Sequence, residues 1–273
     1  LWPEEAADVP QIEDFIGEAI TPGIAPSDNG ISRDEFGISR MMLNNGVRLI
    51  VKEHHGVPLV AVQAAVLAGL RFEAPRNNGV NNLLGEMLTL GIPDMSALQV
   101  AESIDSLAGS LSGFPGRNSL GLRSMAIAKN FVPAFELLSK CLLHPAISDN
   151  ELEREKELVI EEIKARNDQP ASVAFDLFGE TLYKTHPFRL PVTGSIESVS
   201  GLTRTDLLEY HSRHVLPNEL VISIVGDISA EKAAQTVEKY FSEMPEGFNN
   251  VVGPEIEAAP SEPRRAGLKL PRN

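Results

Sequence analysis

The sequence predicts an α+β domain with a mostly antiparallel sheet covered by helices. Three observations carry this. An Asn-Gly turn joins two apolar-alternating runs near residue 45, as a β-hairpin requires. Ser-x-x-Gln and Thr-x-x-Asp boxes open helical periods further along. Two or three strands come first, then helices, then more strands, rather than the regular repeat of a parallel α/β fold.

Taken in order, residues 1–38 contain Pro3, Pro10, Pro22 and Pro26 and no sustained period, and read as a linker or N-terminal arm. Arg40 to Leu43 and Val47 to Glu53 form the hairpin around Asn44-Asn45-Gly46. Leu59 to Leu67, rich in Val and Ala, reads as a buried strand. Gly79 to Leu90 has helical period. Ser96 caps a second helix through Leu107. Ser110 to Ala128 reads as two strands around Pro115-Gly116, and Phe131 to Leu143 as a helix. Ser148-Asp149-Asn150-Glu151 reads as a capping box for a charged helix that stops before Pro170. Ala171 to Tyr183 is helical, and Thr203 caps a helix ending near His214. Leu220 to Val225 is a strand and Ala230 to Phe241 a final helix. The folded part is therefore 39–245. Residues 246–273, with Pro254, Pro260, Pro263 and Pro271, read as a linker to an absent following domain.

The 273 residues carry 24 Lys+Arg against 38 Asp+Glu, a formal charge of −14, with 42% hydrophobic residues. This composition is that of a globular chain. A pI near 4.9 argues against nucleic acid as a partner and against an anionic membrane surface. No apolar run approaches the roughly 20 residues a membrane helix needs, so no membrane insertion is expected. Cys141 stands alone, which excludes an internal disulfide and a thiolate cluster. The compartment stays open; bacterial periplasm and cytoplasm both suit a soluble chain of this kind. The start at Leu1-Trp2-Pro3 reads as a processed or excised segment.

The stretch Asn45 to Val51 resembles the opening strand of the pitrilysin/insulinase-type metallopeptidases, which include the mitochondrial processing peptidases. Six further pieces match in order: Gly79 to Leu88, Ala108-Gly109-Ser110-Leu111, Glu151 to Pro170, His186-Pro187-Phe188 with Gly194-Ser195-Ile196, Pro217-Asn218, and Val225-Gly226-Asp227. The resemblance spans about 40–245. It implies a mitochondrial processing peptidase-like (LuxS/metallohydrolase-like) domain.

Active members of that family carry H-x-x-E-H on the first helix. Two His on one helix face bind Zn²⁺, and the Glu takes a proton from the metal-bound water. Here those positions read Asn82, Gly85 and Glu86. The downstream ligand position reads Glu162, and an accessory acid reads Glu155. Both imidazoles and the base are gone, so neither zinc nor hydrolysis is expected in this domain. Gly85 also costs about 1 kcal/mol against Ala inside a helix. The sequence supplies no physical reason for it, and relaxed constraint suffices. Glu86, Glu155 and Glu162 could form a residual site for a hard cation such as Ca²⁺ or Mg²⁺. The plainer reading is the solvated face of an acidic helix, where Glu151, Glu153, Glu157 and Glu161 also sit.

The histidines do not replace the lost ligands. His54 and His55 are adjacent on a strand and point to opposite faces. His144 sits at a helix end, where a cation complements the dipole. His186 reads as a packing residue. His211 and His214 lie at i and i+3, a spacing open to a metal or to a favourably charged helix C-terminus. Cys141 reads as inert core, and Ser112 to Asn118 as a turn rather than a phosphate loop.

The resemblance implies that two halves, each of two such domains, close around a chamber, with zinc only in some domains. It casts this chain as the first domain of an inactive half. Such a domain walls the chamber and holds peptide for a catalytic metallopeptidase half, supplied in cis or in trans. The edge strand at Ser110, Leu111 and Ser112 would bind peptide by strand addition, unless a neighbour covers it. The −14 charge would favour basic peptides. An alternative is a structural scaffold subunit with no role in proteolysis. An exposed interface could also make a homodimer.

Overall fold

The computed structural model describes residues 31–245, 247, 253 and 257–269. The predicted arm over 1–30 lies outside the described residues, as do 246, 248–252, 254–256 and 270–273 of the predicted tail.

Seven strands build one sheet: β1 (Ile31–Arg33), β2 (Ile38–Met42), β3 (Arg48–Glu53), β4 (Leu59–Leu67), β5 (Ser110–Gly113), β6 (Ser119–Ile127) and β7 (Val221–Gly226). Their order is β1-β2-β3-β7-β4-β6-β5. Only the β3–β7 pair is parallel; the other pairs are antiparallel. The helices are α1 (Val80–Met87), α2 (Ala97–Ser106), α3 (Phe131–Leu143), α4 (Asp149–Asn167), α5 (Pro170–Leu182), α6 (Ile196–Gly201), α7 (Arg204–His214) and α8 (Ala230–Phe241). The α+β class and the mostly antiparallel sheet are as the sequence predicts.

The local chemistry matches the elements. Gly46 takes φ +95° in the β2–β3 turn, a conformation open to Gly at little cost. Ser96 with Gln99, and Thr203 with Asp206, form reciprocal capping boxes. Ser148 makes only half of one: its hydroxyl accepts from the Glu151 N–H, while the Glu151 carboxylate turns to Arg154 at 3.1 Å.

The core lies on one face of the sheet. Val60, Val62, Ala64 and Val66 of β4 point into it, beside Leu49, Val51, Ile222, Ile224, Leu120 and Leu122. Phe131, Phe135, Leu138 and Leu142 of α3 and Phe241 of α8 pack among the same residues. Burying each such side chain contributes about 1.5–3 kcal/mol. The reading of β4 as fully buried needs correction. Its alternate residues Ala61 and Gln63 are exposed, because the opposite face of the sheet carries no helix there.

Two boundaries also differ from the sequence reading. Among the described residues the sheet already includes Ile31 to Arg33, ahead of the expected start at residue 39. A three-residue strand is too short to show alternation, yet Ile31 to Arg33 pairs with Ser39 to Met41. Asp34 shapes the intervening turn by accepting from the Phe36 and Ile38 N–H groups at 3.0 and 2.8 Å. At the other end, part of the predicted linker is docked. The Glu257 carboxylate accepts from the N–H groups of Lys184, Thr185 and His186 at 2.7–3.1 Å. Those backbone donors pull its pKa down to about 2.

Candidate functional site

The site positions gather around α1. This helix is buried along its length except at Glu86. It lies against α4 and α7 and beneath the β5–β6 hairpin. Its start is fixed by a residue outside the family motif. Glu73 is 4% exposed, and its carboxylate accepts from the N–H groups of Gly79 and Asn81 at 2.8 and 3.0 Å and from Asn78 Nδ2 at 2.8 Å. A carboxylate at a helix N-terminus satisfies donors that the helix leaves free. Burial nevertheless pushes the Glu73 carboxyl pKa up, against those three hydrogen bonds.

A second support comes from α7. The Tyr210 hydroxyl accepts from the Gly69 N–H at 2.9 Å and lies 3.1 Å from the Gly69 carbonyl and 3.4 Å from Asn81 Oδ1. The His214 ring packs between Phe72 and Tyr210, with centroids 4.9 and 4.4 Å away. Its Nδ1 lies 3.0 Å from the Leu67 carbonyl, so this nitrogen carries the proton.

The motif positions sit on this frame. Asn82 and Gly85 are buried, and Glu86 is exposed. A side chain at Gly85 would meet Pro115 of the β5–β6 turn. An ideal Cβ there would lie 2.9 Å from Pro115 Cδ and 3.1 Å from its Cβ and Cγ. On the next turn of chain, a Cβ at Gly113 would overlap the Gly85 carbonyl oxygen. Gly85 is therefore a close-contact glycine. This corrects the view that nothing physical selects it: the hairpin and the helix share the space a catalytic base would need.

Across from α1, the acids of α4 face Glu86. The Glu86 carboxyl pKa is raised by lost hydration first, then by repulsion from Glu155 and Glu162. Glu155 is also raised, mainly by burial. Glu86 is exposed, so solvent screens these repulsions. Glu155 and Glu162 thus both lie near enough to Glu86 to raise its pKa. Yet among the described residues no group of three or more His, Cys, Asp or Glu side chains converges as a metal site would. The donor set at the motif, an amide, a glycine and one carboxylate, does not fit the family's catalytic zinc.

The other predicted residues scatter. His55 pairs with Asp227 at 2.7 Å, away from α1. His211 Nε2 lies 2.8 Å from the Leu142 carbonyl, so His211 and His214 bond to different backbone groups and do not chelate together. The reading of a charged helix end fails for both. Burial lowers the pKa of His211, and lowers that of His214 to about 4, so both are neutral at pH 7. His186 packs against Tyr183 and Phe188, and its Nδ1 accepts from the Phe188 N–H at 3.1 Å. Cys141 is buried, which pushes its thiol pKa up to about 12.

Strand β5 is the sheet edge, and among the described residues no strand pairs with its outer side. Ser110 and Ser112 are exposed and Leu111 half-buried. Sequence reasoning missed Glu73 and Arg123 of β6; Tyr210, read as a packing residue at a helix end, is in the core and also bonds the Gly69 backbone. For Arg123 a signal existed: a lone cation inside the apolar run Leu120 to Ile127.

The comparisons agree with this architecture. The sequence model of the insulinase family, peptidase family M16, matches residues 48–195. That of the peptidase M16 inactive domain matches residues 201–271. An uncharacterized zinc protease, YmxG, of Bacillus subtilis (strain 168) is 30% identical over 204 residues, covering 75% of this chain and 50% of that protein. The cytochrome b-c1 complex subunit 1, mitochondrial, of Bos taurus is 25% identical over 200 residues, covering 73% of this chain and 42% of that one. The crystal structure of a peptidase M16 inactive domain from Pseudomonas fluorescens superposes with a TM-score of 0.76 at 18% identity, over 81% of this chain and 54% of that chain. The chain thus spans about half the length of the relatives it matches. With the first family model covering more than half of its residues, the chain belongs to the insulinase family, peptidase family M16.

Proposed function

We propose that this chain is a non-catalytic domain of an M16 peptidase. It walls the substrate chamber and holds peptide at the β5 edge for a catalytic half carried in cis or in trans. Zinc resides in that catalytic half and not here. One observation carries the reading: the base position is Gly85, and Pro115 occupies the space beside it. The matched inactive-domain model supports the same reading over 201–271. The free outer edge of β5 supports the peptide contact, since main-chain pairing needs no zinc ligand.

The test is a calorimetric titration of the metal-stripped chain with Zn²⁺, beside Glu162→Ala. Neither protein is expected to show one-to-one binding, and neither cleaves peptide with zinc present. Tight one-to-one binding abolished by Glu162→Ala would overturn the reading. A second reading, a scaffold subunit, draws support from the bovine relative named as a subunit of the cytochrome b-c1 complex. It requires stable binding to non-peptidase partners and no effect of the chain on proteolysis.

A further inference from the structure

The helix-free face of the sheet carries a charge opposite to that of the chain. Strand register places two rows of side chains across it. One runs Ser112, Arg123, Gln63, Ser223, Ile50, Arg40. The neighbouring row runs Ser110, Met125, Ala61, Val225, Lys52, Ile38. Arg48 follows on the same side of β3. Among the described residues of these strands, no Asp or Glu points to this face. The strands' one acid, Glu53, points the other way and accepts from the Ala230 N–H at 2.8 Å.

Of these cations, Arg40 is neutralised by Asp34 at 2.5 Å. Lys52 donates to the Phe36 carbonyl, and Arg48 to the Asn218 carbonyl at 3.3 Å. Arg123 makes no ion pair with a described residue. Its guanidinium stacks 5.0 Å over the Phe114 ring, which fixes the plane and leaves the edge donors free. It stands over a trough of about 410 Å³ lined by Ser110, Ser112, Met125, Ala61, Gln63 and Val225. The trough opens beside β5, one of the two edge strands of the sheet.

We propose that the β5 edge and this trough together take an extended acidic peptide, with a specificity set by Arg123. This rests on the peptide-holding reading above and names its substrate class. A peptide strand paired to β5 continues both rows. Its residue in the Ser112 row stands two strand spacings, about 10 Å, from the Arg123 backbone, a gap the two side chains bridge. That residue is Asp or Glu. The residue two places along, in the Ser110 row, stands two strand spacings from exposed Met125 and is apolar. The sequence-level expectation of basic peptides, drawn from the −14 total, is reversed at this face. The acids of α4 lie on the helical side and do not neutralise it.

Fluorescence anisotropy of the full chain with short labelled peptides tests this. The probes carry Glu two residues from Leu in an otherwise Thr–Val background, or Gln or Lys in place of Glu. A further probe is N-methylated along the edge that would pair with β5. The Glu peptide is expected to bind about fivefold tighter than the Gln peptide. The preference disappears in Arg123→Gln and persists in Arg123→Lys, and the N-methylated probe does not bind. Equal binding of Glu and Gln peptides, with Arg123→Gln altering neither, overturns the specificity while leaving peptide holding in place. Absence of binding by every peptide overturns peptide holding and the specificity with it. A peptide-independent dimer that Arg123→Gln dissociates also overturns it, since the face would then belong to a second copy.

Discussion

The Gly85 carbonyl oxygen occupies the place where a Cβ on Gly113 would have to be. Helix α1 and strand β5 therefore touch backbone to backbone at the family's chemical centre. Gly113→Ala is expected to destabilise the domain by about 2–3 kcal/mol, because the overlap involves backbone and cannot be relieved by a rotamer change. Rebuilding the motif with Asn82→His, Gly85→Glu and Glu86→His is expected to lower stability as well, without restoring hydrolysis. Urea unfolding monitored by circular dichroism, with a peptide-cleavage assay in zinc, checks both. A stable triple variant that cleaves peptide would show the hairpin to be free to move aside.

Glu73 holds three donors at the start of α1 while being 4% exposed. Glu73→Ala leaves those donors buried and unpaired, at a cost of about 3 kcal/mol. Glu73→Gln keeps the shape and is expected to cost about half as much. The midpoint of urea unfolding distinguishes the two, and equal midpoints for wild type and Glu73→Ala would remove Glu73 as the anchor of the helix.

His214 makes stability depend on pH. Its pKa is about 4 in the folded protein, against about 6.5 when unfolded. The unfolded state takes up the proton first. The contribution of His214 is therefore complete above about pH 6.5 and is lost as pH falls towards about 4, for a total near 3 kcal/mol. His211 acts in the same sense. Glu73, whose carboxyl pKa is raised, acts in the opposite sense. Proton NMR of the imidazole isolates the effect: the His214 resonance is expected not to titrate between about pH 7.5 and about pH 5. A midpoint near 6.5 would place the ring in water.

Cys141 is 0% exposed and its thiol pKa is pushed up to about 12. Native protein is expected to resist a thiol reagent at neutral pH, and to react fully once unfolded in denaturant. Rapid native labelling would mean that α3 opens locally.

The readable parts of this chain are those whose signal is local. Ser96 and Thr203 cap where their boxes say, and Phe131 to Leu143 is helical over the whole apolar period. Glu155 and Glu162 share a helix face, as their seven-residue spacing says; that Glu86 of another helix lies near both follows only from the family resemblance and the packing of α1 against α4. The missed parts depend on contacts between distant segments. Gly85 looks like a defect within α1 and makes sense only when Pro115 is seen against it. Strand β1 is too short to carry a period and exists because β2 offers it an edge. His211 and His214 have the spacing of ligands, and their partners, Leu142 and Leu67, lie far away in sequence.

The position of β7 sets an order for assembly. It lies between β3 and β4, parallel to one and antiparallel to the other, yet of the described strands it leaves the ribosome last. Before Val221 to Gly226 exist, β3 and β4 are consecutive, antiparallel in direction and joined by the short segment His54 to Pro58. They have every local reason to pair with each other. The finished sheet requires that hairpin to be absent or to open. Closure of the centre is thus a late, long-range event, of the kind that folds slowly and exposes strand edges while it waits. Nascent chains ending before residue 221 leave the inner edges of β3 and β4 without the strand that separates them in the finished sheet.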